Sequence, residues 1–490
     1  MTKPRTLGTM MALFDCAKLD PSLSAFVRPI EFTENLLSDE YKLFEVDPVL
    51  ADEISDPNSS RVIELKDEPG KSSSGRVYAC ATERTYSVVE TETSNTLLLI
   101  PNGSTLTEKP PDSEESQSVV VQALKASYLE LHPCIAPSLR LLKQRMLSSK
   151  YHGPLDEDDC EENSEICDNQ MRSANLTRLD LTTEFPCSTN ELNYAFARLK
   201  IFEVQGFMRL VDPDYLIQVI RDIFFLADEC AWDWRKTGFS IRKVIENLKD
   251  QHEPSVLKQI IGIYFHPRNT PTCTSSSDLS VFPRSSKICQ LVGEQLLSVT
   301  NSFDLNDFKA VWKATVPSGL RPKLRKHLTC AGRAFCGTAG TSMDTNFSAR
   351  GRPNADRNHP LFRTISLLRS EDLPDDTVES RLHALFERSA AWPELELASF
   401  LIDLVVPPDT SCKLHSDPVI GPLTFPCTAN TDSDFEYIDE LEGEFPESNT
   451  STETDTPKPA PASVVTILSR LCRVTTVDQG RIYTEKYATI

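Results

Sequence analysis

The sequence lacks the features that mark membrane-spanning, exported and metal-binding proteins. None of its apolar runs reaches the roughly 18 residues that a transmembrane helix needs. The basic start, residues 1–20, is followed by too short an apolar stretch for a signal peptide, so we expect a reducing compartment. The 14 cysteines are scattered without a C-x-x-C, which argues against a disulfide framework and a zinc site. We expect most of these thiols to be small core residues and predict no metal.

Motifs of common enzyme classes are also missing. There is no G-x-S-x-G, H-E-x-x-H or G-x-G-x-x-G, and the eight histidines are isolated from one another. The fragment Pro69–Ser72 is similar to a nucleotide-binding loop, but Leu65 stands where a Walker A loop needs its first glycine. A β-rich run follows at Arg76–Ala81, instead of the helix whose N terminus would face the phosphate. We interpret the fragment as a hairpin turn, and predict a protein that is not an enzyme and uses no cofactor.

Basic residues are scarce overall, although the deficit is local. The 490 residues contain 51 Lys and Arg against 72 Asp and Glu, a net charge of −21, which by itself disfavours nucleic-acid binding. Residues 155–168 hold eight acids and no base, and residues 407–457 hold twelve acids and one lysine. We expect both segments to be disordered, because they have too little apolar surface to bury. The rest of the chain is nearly neutral, so the net charge does not argue against DNA binding.

The patterns along the chain predict an α+β protein of several domains. Short β-rich runs in residues 1–122 indicate a small β-barrel region that is too short for its own core and is completed by partner subunits. Further on, the order helix, helix, helix, strand recurs, which is typical of tandem winged-helix domains. The predicted parts are the β-barrel partner-binding region 1–122, a connecting helix 123–154, an acidic linker 155–185, winged helix 1 at 186–284, winged helix 2 at 285–370 with a long wing loop 332–360, and winged helix 3 at 371–490 with an acidic disordered insert 407–460.

Several stretches, taken in chain order, resemble one protein family. They are residues 85–101, residues 139–153 with the ending Tyr151-His-Gly153, residues 303–312 with Val316-Pro317-Ser-Gly319, residues 367–376 and residues 392–404. Together they are similar to the Dcc subunit (defective in sister chromatid cohesion) of the cohesion-type alternative replication factor C clamp loader. The match runs from about residue 40 to the C terminus. No single stretch is a fingerprint, but the ordered set is specific.

The resemblance implies a nuclear, non-catalytic clamp-loader subunit. It implies an N-terminal region that joins the large and small accessory subunits of the alternative clamp loader, and winged helices behind it. It also implies attachment of the complex to DNA polymerase epsilon, for PCNA loading or unloading in DNA replication and sister chromatid cohesion. ATP would be used by other subunits, in agreement with the failed nucleotide-binding loop.

A basic window on the second predicted winged helix is the candidate DNA-binding site. Residues 319–369 contain ten Arg and Lys against Asp344 and Asp356. A basic helix face is most often only solvated, and this one would also serve as a nuclear import signal, but its place on the third helix and wing favours DNA contact. Such side chains would grip phosphates of single- or double-stranded DNA without reading sequence. The candidate residues are Arg321, Lys323, Arg325, Lys326 and Arg363, with Arg470, Arg473 and Arg481 as a second set.

One β-rich run is the candidate partner interface. Its residues are Tyr86, Ser94, Asn95, Leu97, Leu98, Leu99 and Ile100. Residues 97–100 are apolar and also fit an ordinary core strand, an interpretation that we favour over the interface for this part.

Two other classes of function stay open. A winged-helix transcription regulator would need a base-reading helix with Asn or Gln beside Arg, and Arg321–Lys326 contains neither. A ubiquitin-ligase scaffold would use winged helices to dock other proteins. The proteins recovered with this chain from nuclear extract would separate the three classes.

Overall fold

The computed structural model describes 14 parts of the chain, which fall into two compact units. The described residues are 7–18, 30–56, 62–67, 75–100, 119–154, 176–267, 279–300, 302–338, 363–408, 410, 412–417, 421–426, 459–477 and 480–486. The N-terminal unit comprises Met1–Leu65, Arg76–Ala79 and Tyr86–Pro133, and the C-terminal unit comprises Lys66–Gly75, Cys80–Thr85 and Cys134–Ile490. The nucleotide-loop fragment Pro69–Ser72 and the acidic residues 155–168 lie outside the described residues.

The first part of the chain is rich in β structure, as predicted. Its elements are α1 (Leu7–Cys16), β1 (Ile30–Phe32), β2 (Phe44–Glu45), α2 (Pro48–Ser55), β3 (Glu64–Asp67), β4 (Val77–Cys80), β5 (Thr85–Leu99), β6 (Val119–Val121) and β7 (Ala123–Cys134). Five strands form one sheet in the order β2-β7-β5-β4-β3, and β1 pairs with β6 in parallel. The described strands form open sheets and do not close into a barrel.

Strand β7 replaces the first half of the predicted connecting helix. Ala123 and Leu131 are its buried residues, and their separation of eight fits the helical period as well as the strand period. Pairing with β2 and β5 inside the five-stranded sheet decides in favour of the strand, because tertiary context outweighs local propensity. Only the second half is helical: α3 (Leu139–Met146) begins at Ser138, whose Oγ accepts a hydrogen bond from the backbone N–H of Leu141 at 3.1 Å.

The C-terminal unit repeats one order of elements four times: helix, strand, helix, helix, strand, strand. Repeat 1 consists of α3, β8 (Lys150–Tyr151), α4 (Arg178–Glu184), α5 (Thr189–Leu199), β9 (Ile201–Val204) and β10 (Phe207–Val211). Repeat 2 consists of α6 (Pro213–Glu229), the extra helix α7 (Trp234–Thr237), β11 (Phe239–Ser240), α8 (Ile241–Leu248), α9 (Pro254–Tyr264), β12 (Phe265–Pro267) and β13 (Ser280–Pro283).

The last two repeats follow the same order. Repeat 3 consists of α10 (Ser285–Ser298), β14 (Phe303–Asp304), α11 (Leu305–Thr315), α12 (Leu324–His327), β15 (Ala334–Thr338) and β16 (Arg363–Leu367), with 3-10 turns at Thr329–Ala331 and Ser370–Asp372. Repeat 4 consists of α13 (Val378–Arg388), β17 (Ala391–Pro393), α14 (Glu394–Ser399), the extra helix α15 (Ile402–Val405), α16 (Ala462–Leu471), β20 (Cys472–Val477) and β21 (Gly480–Glu485). It also contains the inserted strands β18 (Cys412–Asp417) and β19 (Gly421–Pro426).

Each repeat builds a three-stranded sheet with its last strand in the middle. The orders are β8-β10-β9, β11-β13-β12, β14-β16-β15 and β17-β21-β20. All these pairings are antiparallel except that of β8 with β10. The molecule is therefore an α+β protein with several small sheets. The predicted winged helix 1, residues 186–284, therefore does not coincide with one repeat. It contains β9 and β10 without their sheet partner β8, which precedes the acidic segment, and it contains all three strands of the second sheet.

Local sequence signals mark the starts of helices in these repeats. Asp212 Oδ1 accepts from the backbone N–H of Asp214 at 2.9 Å, and Pro213 occupies the first helical turn. Asp304 caps α11 in the same way, accepting from Asn306 at 2.8 Å. These side chains satisfy backbone N–H groups that have no partner inside a helix.

The insert predicted to be disordered contains an ordered hairpin. β18 and β19 pair from Cys412↔Pro426 to Asp417↔Gly421. Leu423 and Phe425, at alternate positions of β19, are each only 1 % exposed and belong to the hydrophobic core shared by repeats 2 and 3. The prediction was wrong here because two apolar side chains on one strand face suffice to dock a short hairpin. Residues 427–458 lie outside the described residues.

Three hydrophobic cores hold the C-terminal unit together. One lies in repeat 1. A second runs through repeats 2 and 3 and includes strand residues of repeat 1 and of the β18–β19 hairpin. The third lies in repeat 4, with Leu368 and Leu373 from the segment before it. None of these cores includes a described residue of the N-terminal unit. Within the described ranges, no helix combines the length and apolarity needed to cross a membrane.

Candidate nucleic-acid and partner interfaces

The predicted third helix of the basic window is mostly a loop. Helix α12 has only four residues, so Arg325 and Lys326 lie in it while Arg321 and Lys323 precede it. Proline at 322 and the turn at residues 317–319 explain the shortening, since neither proline nor a left-handed glycine continues a helix. Arg321 and Arg325 are exposed, and Lys323 and Lys326 are half-buried.

A buried histidine anchors this basic loop. His327 is 3 % exposed, its Nδ1 accepts a hydrogen bond from the backbone N–H of Lys323 at 3.1 Å, and its ring lies edge-on to Trp312. Burial, together with the positive charges of Lys326 and Lys323, lowers the pKa of His327 to about 3. The ring is therefore neutral at physiological pH, and its lone pair stays available to hold the loop.

Repeat 2 adds the basic side chain of Arg235, which was not among the predicted DNA-binding residues. The Arg235 guanidinium lies 4.8 Å from the Trp234 ring and donates a hydrogen bond from Nη2 to the carbonyl oxygen of Ser318 at 3.4 Å. A Cβ on Gly319, where φ is +98°, would collide with this guanidinium. Arg235 and Lys236 are both exposed. The only signal in the sequence was the basic pair after Trp234, because the contact joins residues more than 80 positions apart.

The remaining candidates for DNA contact are more dispersed. Arg363 is the first residue of β16 and pairs with Thr338 at the base of the wing loop, whose residues 339–362 lie outside the described ranges. Arg470, Arg473 and Arg481 are exposed, and Arg481 lies 3.4 Å from Glu394. Arg473 pairs with Thr484 and Arg481 with Thr476, so these two arginines lie on opposite faces of the hairpin. The structure does not bring the second set onto one surface.

The candidate partner interface divides into a buried and an exposed part. Tyr86 is 2 % exposed and offers no surface to a partner, contrary to our expectation. Leu97 and Leu98 are 38 % and 43 % exposed, so for them the core interpretation was wrong. Ser94 and Asn95 are exposed, and Leu99 and Ile100 are half-buried. Neighbouring residues of a strand point to opposite faces, so both faces of the sheet are uncovered at Leu97 and Leu98.

Other apolar side chains of the N-terminal unit are exposed as well. They include eight residues with exposed fractions from 42 % to 70 %: Ile30, Phe32, Phe44, Val49, Ile54, Val62, Leu65 and Val89. In contrast, its buried apolar residues among those described are few: Leu50, Ala79, Tyr86, Val121, Ala123 and Leu131. An apolar surface of this extent is uncommon on a self-sufficient domain and marks a site of protein association.

The described residues were compared for groups of metal-ligating side chains. Among the described residues, no three His, Cys, Asp or Glu side chains are grouped so that they would hold a metal ion.

The chain is similar to known proteins over most of its length. The family model "Sister chromatid cohesion protein Dcc1" matches residues 41–401. Among curated relatives, the sister chromatid cohesion protein DCC1 of Xenopus laevis is 26 % identical over 404 residues, covering 82 % of this chain and 91 % of that protein. The DCC1 protein of Danio rerio is 25 % identical over 403 residues, with the same coverage. The protein of that name from Homo sapiens is 23 % identical over 367 residues, covering 74 % of this chain and 81 % of the relative.

Proposed function

Because the chain belongs to the family of sister chromatid cohesion protein Dcc1, we propose that it is a non-catalytic subunit of an alternative replication factor C clamp loader. The family membership confirms the resemblance seen in the sequence. In this role the protein works in the nucleus, joins the large and small accessory subunits and contributes DNA contacts. It tethers the complex to DNA polymerase epsilon, and so supports PCNA loading or unloading in replication and cohesion.

The observation that carries this proposal is the exposure of Leu97 and Leu98 on opposite faces of β5. A sheet that is uncovered on both faces cannot form a hydrophobic core by itself. Strands from partner subunits would cover both faces and close the open sheet into joined barrels. Burial of an exposed leucine stabilises by about 1.5–3 kcal/mol, so the many exposed apolar side chains would supply a large part of the affinity.

The repeats of the C-terminal unit support the winged-helix part of the proposal. In repeats 2, 3 and 4 the first strand pairs antiparallel with the third, which also pairs with the second. Each of these repeats also has a helix before its first strand and at least two helices after it, the order expected of a winged helix. Repeat 1 has the same order, with a parallel first pair.

The loop before α12, together with Arg235, supports sequence-independent DNA contact. Basic side chains on a short turn suit phosphate oxygens, whereas base reading needs a rigid helix in the major groove. A subunit that works at any replication fork requires this kind of grip. The link to DNA polymerase epsilon and to PCNA rests on the family resemblance alone.

Affinity capture from nuclear extract tests the proposal. The full chain should recover the clamp-loader ATPase subunits and the large and small accessory subunits. Leu97→Asp with Leu98→Asp should lose them, because two charges would be buried in the joint sheet. Leu179→Asp, at a leucine that is 74 % exposed in repeat 1, is the matched control and should retain them. Recovery of transcription factors or of cullin ligases in their place would refute the assignment.

A further inference from the structure

A cluster of charged side chains lies where repeats 1, 2 and 3 meet. The end of α5 contributes two cations, the start of α10 two, and the segments flanking the β15–β16 hairpin two more. The six cations, with two carboxylates among them, are Arg198, Lys200, Arg284, Lys287, Arg333 and Arg369, with Glu294 and Glu371. We call these eight residues the cation cluster.

The two carboxylates of the cation cluster are fully engaged by two of its arginines. Arg333 Nη1 lies 2.5 Å from Glu371 Oε1 and 2.7 Å from Oε2. Arg369 Nε donates a hydrogen bond to Glu294 Oε2 at 2.9 Å, and Arg333 Nε lies 3.4 Å from Glu294 Oε1, at ion-pair distance only. Arg333, Glu294 and Glu371 are each at most 3 % exposed. Asp372, the next acid nearby, is held by Lys143 at 2.5 Å and also lies 4.0 Å from Nη1 of Arg369.

Positive charge is therefore in excess in this buried place. Apart from Arg284, which has an interaction of its own, five cations face two carboxylates among the described residues, a formal excess of three. Burial lowers the pKa of Lys200. Burial also lowers the pKa of Lys287, to about 7, together with the charges of Arg198, Arg333, Arg284 and Lys200. Burying like charges together is unfavourable unless a counter-ion joins them, because arginine does not give up its proton.

Two further hydrogen-bond donors are available at the cation cluster. The hydroxyl of Tyr264, a residue 2 % exposed, has no hydrogen-bond partner among the described residues, and it lies in the field of Glu294 and Arg333. Arg198 donates from Nη2 to Ser370 Oγ at 3.2 Å, while its Nε has no partner among the same residues. Buried polar atoms without partners are rare in folded proteins and often mark a missing ligand.

The cation cluster is reachable from solvent. Arg198, Lys200 and Lys287 are half-buried, whereas Arg333, Glu294 and Glu371, which we call the floor of the cation cluster, are buried. A solute that reaches the lysines meets a preformed group of donors that the floor holds in place. The floor comes from repeat 3 and the lysines from repeats 1 and 3, so a bound anion would link repeats.

We propose that the cation cluster binds a multiply charged, phosphate-bearing anion between repeats 1, 2 and 3. Lys200, Lys287 and Arg198 contact its phosphate oxygens, and the Tyr264 hydroxyl is a further donor. The phosphate groups come either from a small soluble polyphosphate or from a DNA backbone, which share this chemistry. The site does not depend on the clamp-loader assignment.

Thermal unfolding of the full chain with pyrophosphate as the probe tests the site. Pyrophosphate should raise the midpoint by about 3 °C or more relative to sodium chloride of equal ionic strength, because a ligand that binds only the folded state stabilises it. Lys287→Met should raise the midpoint without pyrophosphate, by removing one repelling charge, and should abolish the response to it. Lys313→Met, at an exposed lysine of α11, is the matched control and should change neither result.

The opposite results are expected if the cation cluster is only a network of ion pairs that stabilises the fold. In that case Lys287→Met lowers the midpoint in the absence of pyrophosphate, and pyrophosphate stabilises no better than chloride. Either outcome overturns the proposal. If Lys287→Met does not fold, Lys200→Met provides the same comparison.

Competitive acetylation followed by mass spectrometry separates the two sources of phosphate. Lys287 should be acetylated faster than Lys313 at neutral pH, and a bound anion should protect it. Protection by pyrophosphate assigns a soluble ligand, and protection by duplex DNA alone assigns a DNA backbone. Protection by neither refutes the site.

Discussion

Gly262 of α9 and Thr424 of β19 lie in direct backbone contact. A Cβ built on Gly262 would overlap the carbonyl oxygen of Thr424, so only glycine allows the inserted hairpin to approach this closely. The contact places the hairpin of repeat 4 on the third helix of repeat 2. The side of α9 that carries Gly262 is therefore covered by the chain itself.

Loss of the aromatic anchor of this hairpin should destabilise the protein. Phe425→Ala removes a side chain that is 1 % exposed and leaves a cavity, so we expect the free energy of unfolding to fall by about 3 kcal/mol. Phe225→Ala, at a phenylalanine 62 % exposed on α6, should change it by about 0.5 kcal/mol or less. Urea unfolding measures both. Equal effects for the two variants would show that the hairpin is not docked.

The sign of the change in unfolding free energy on Gly262→Ala tests this close contact. In a helix interior, Gly→Ala ordinarily stabilises by about 0.5–1 kcal/mol. Here the new Cβ meets backbone that cannot rotate away, so we expect Gly262→Ala to destabilise instead. Stabilisation in the same urea assay would refute the close contact.

A buried carboxylate at the start of α5 makes stability depend on pH. Glu191 Oε2 accepts from the Thr85 hydroxyl at 2.5 Å and from Ser188 Oγ at 2.8 Å, and the backbone N–H of Ser188 donates to Thr85 Oγ1 at 2.8 Å. Residues 188–191 have the sequence pattern of a capping box, but the box is only half formed, because Thr85 Oγ1 accepts from the Ser188 N–H that Glu191 would otherwise hold. Burial raises the pKa of Glu191, while the bonds from Thr85 and Ser188 oppose that rise.

Thr85→Val should therefore weaken the fold more at neutral pH than in acid. It leaves a buried carboxylate with one donor fewer, at a cost of about 1–3 kcal/mol at pH 7. A carboxyl group with a raised pKa favours folding below its unfolded-state pKa, and that contribution is lost as the pH rises through the folded-state value. The cost of Thr85→Val should shrink toward pH 4.5, where Glu191 is protonated. Thr183→Val, at an exposed threonine, should show the same small effect at both pH values.

The parts of the fold that could be predicted are those decided by neighbouring residues. Asp212, Ser240 and Asp304 cap helices through bonds to residues two or three positions away, so their signals are complete in the sequence. Strand β7 and the β18–β19 hairpin were missed because partners far along the chain decide them. The family resemblance did not depend on either.

The residues of the candidate DNA surface could likewise be predicted only where they are neighbours in the sequence. The basic residues 321–326 could be found as a local cluster, whereas Arg235 joins them through the backbone of Ser318. The opposite orientations of Arg473 and Arg481 depend on strand register, which single-residue patterns do not fix.

Charge reversal on the loop before α12 should weaken DNA binding. In the full chain, Arg325→Glu with Lys326→Glu should lower the affinity for duplex DNA about tenfold or more and reduce the salt dependence by about two phosphate contacts. Lys309→Glu with Lys313→Glu, at exposed lysines of α11, is the charge-matched control and should have a smaller effect. Fluorescence-anisotropy titration over a range of salt concentrations measures both quantities. Unchanged affinity would remove the loop from the DNA interface.

The N-terminal unit should not fold well alone. Its described residues contribute to none of the three hydrophobic cores, and its exposed side chains include Phe32 and Phe44. We expect a fragment of residues 1–133 to aggregate or to unfold without cooperativity, and to become soluble when coexpressed with the large and small accessory subunits. Gel filtration and circular dichroism report these properties. A monodisperse fragment that unfolds cooperatively by itself would count against obligate pairing.

The acidic part of the insert should compete with DNA for the basic loop. Residues 430–457 contain ten acids and no base, and they follow a hairpin docked on repeat 2, the repeat that also supplies Arg235. A tethered polyanion acts at a high effective concentration, so its removal should raise the affinity for DNA several-fold at low salt and much less at high salt. The deletion spares β18 and β19, so the docking of Phe425 is preserved. Replacement of the ten acids by Asn and Gln keeps the length and should give the same gain as the deletion. If the deletion raises the affinity and the neutral replacement does not, the insert acts by occupying space, and the electrostatic explanation fails.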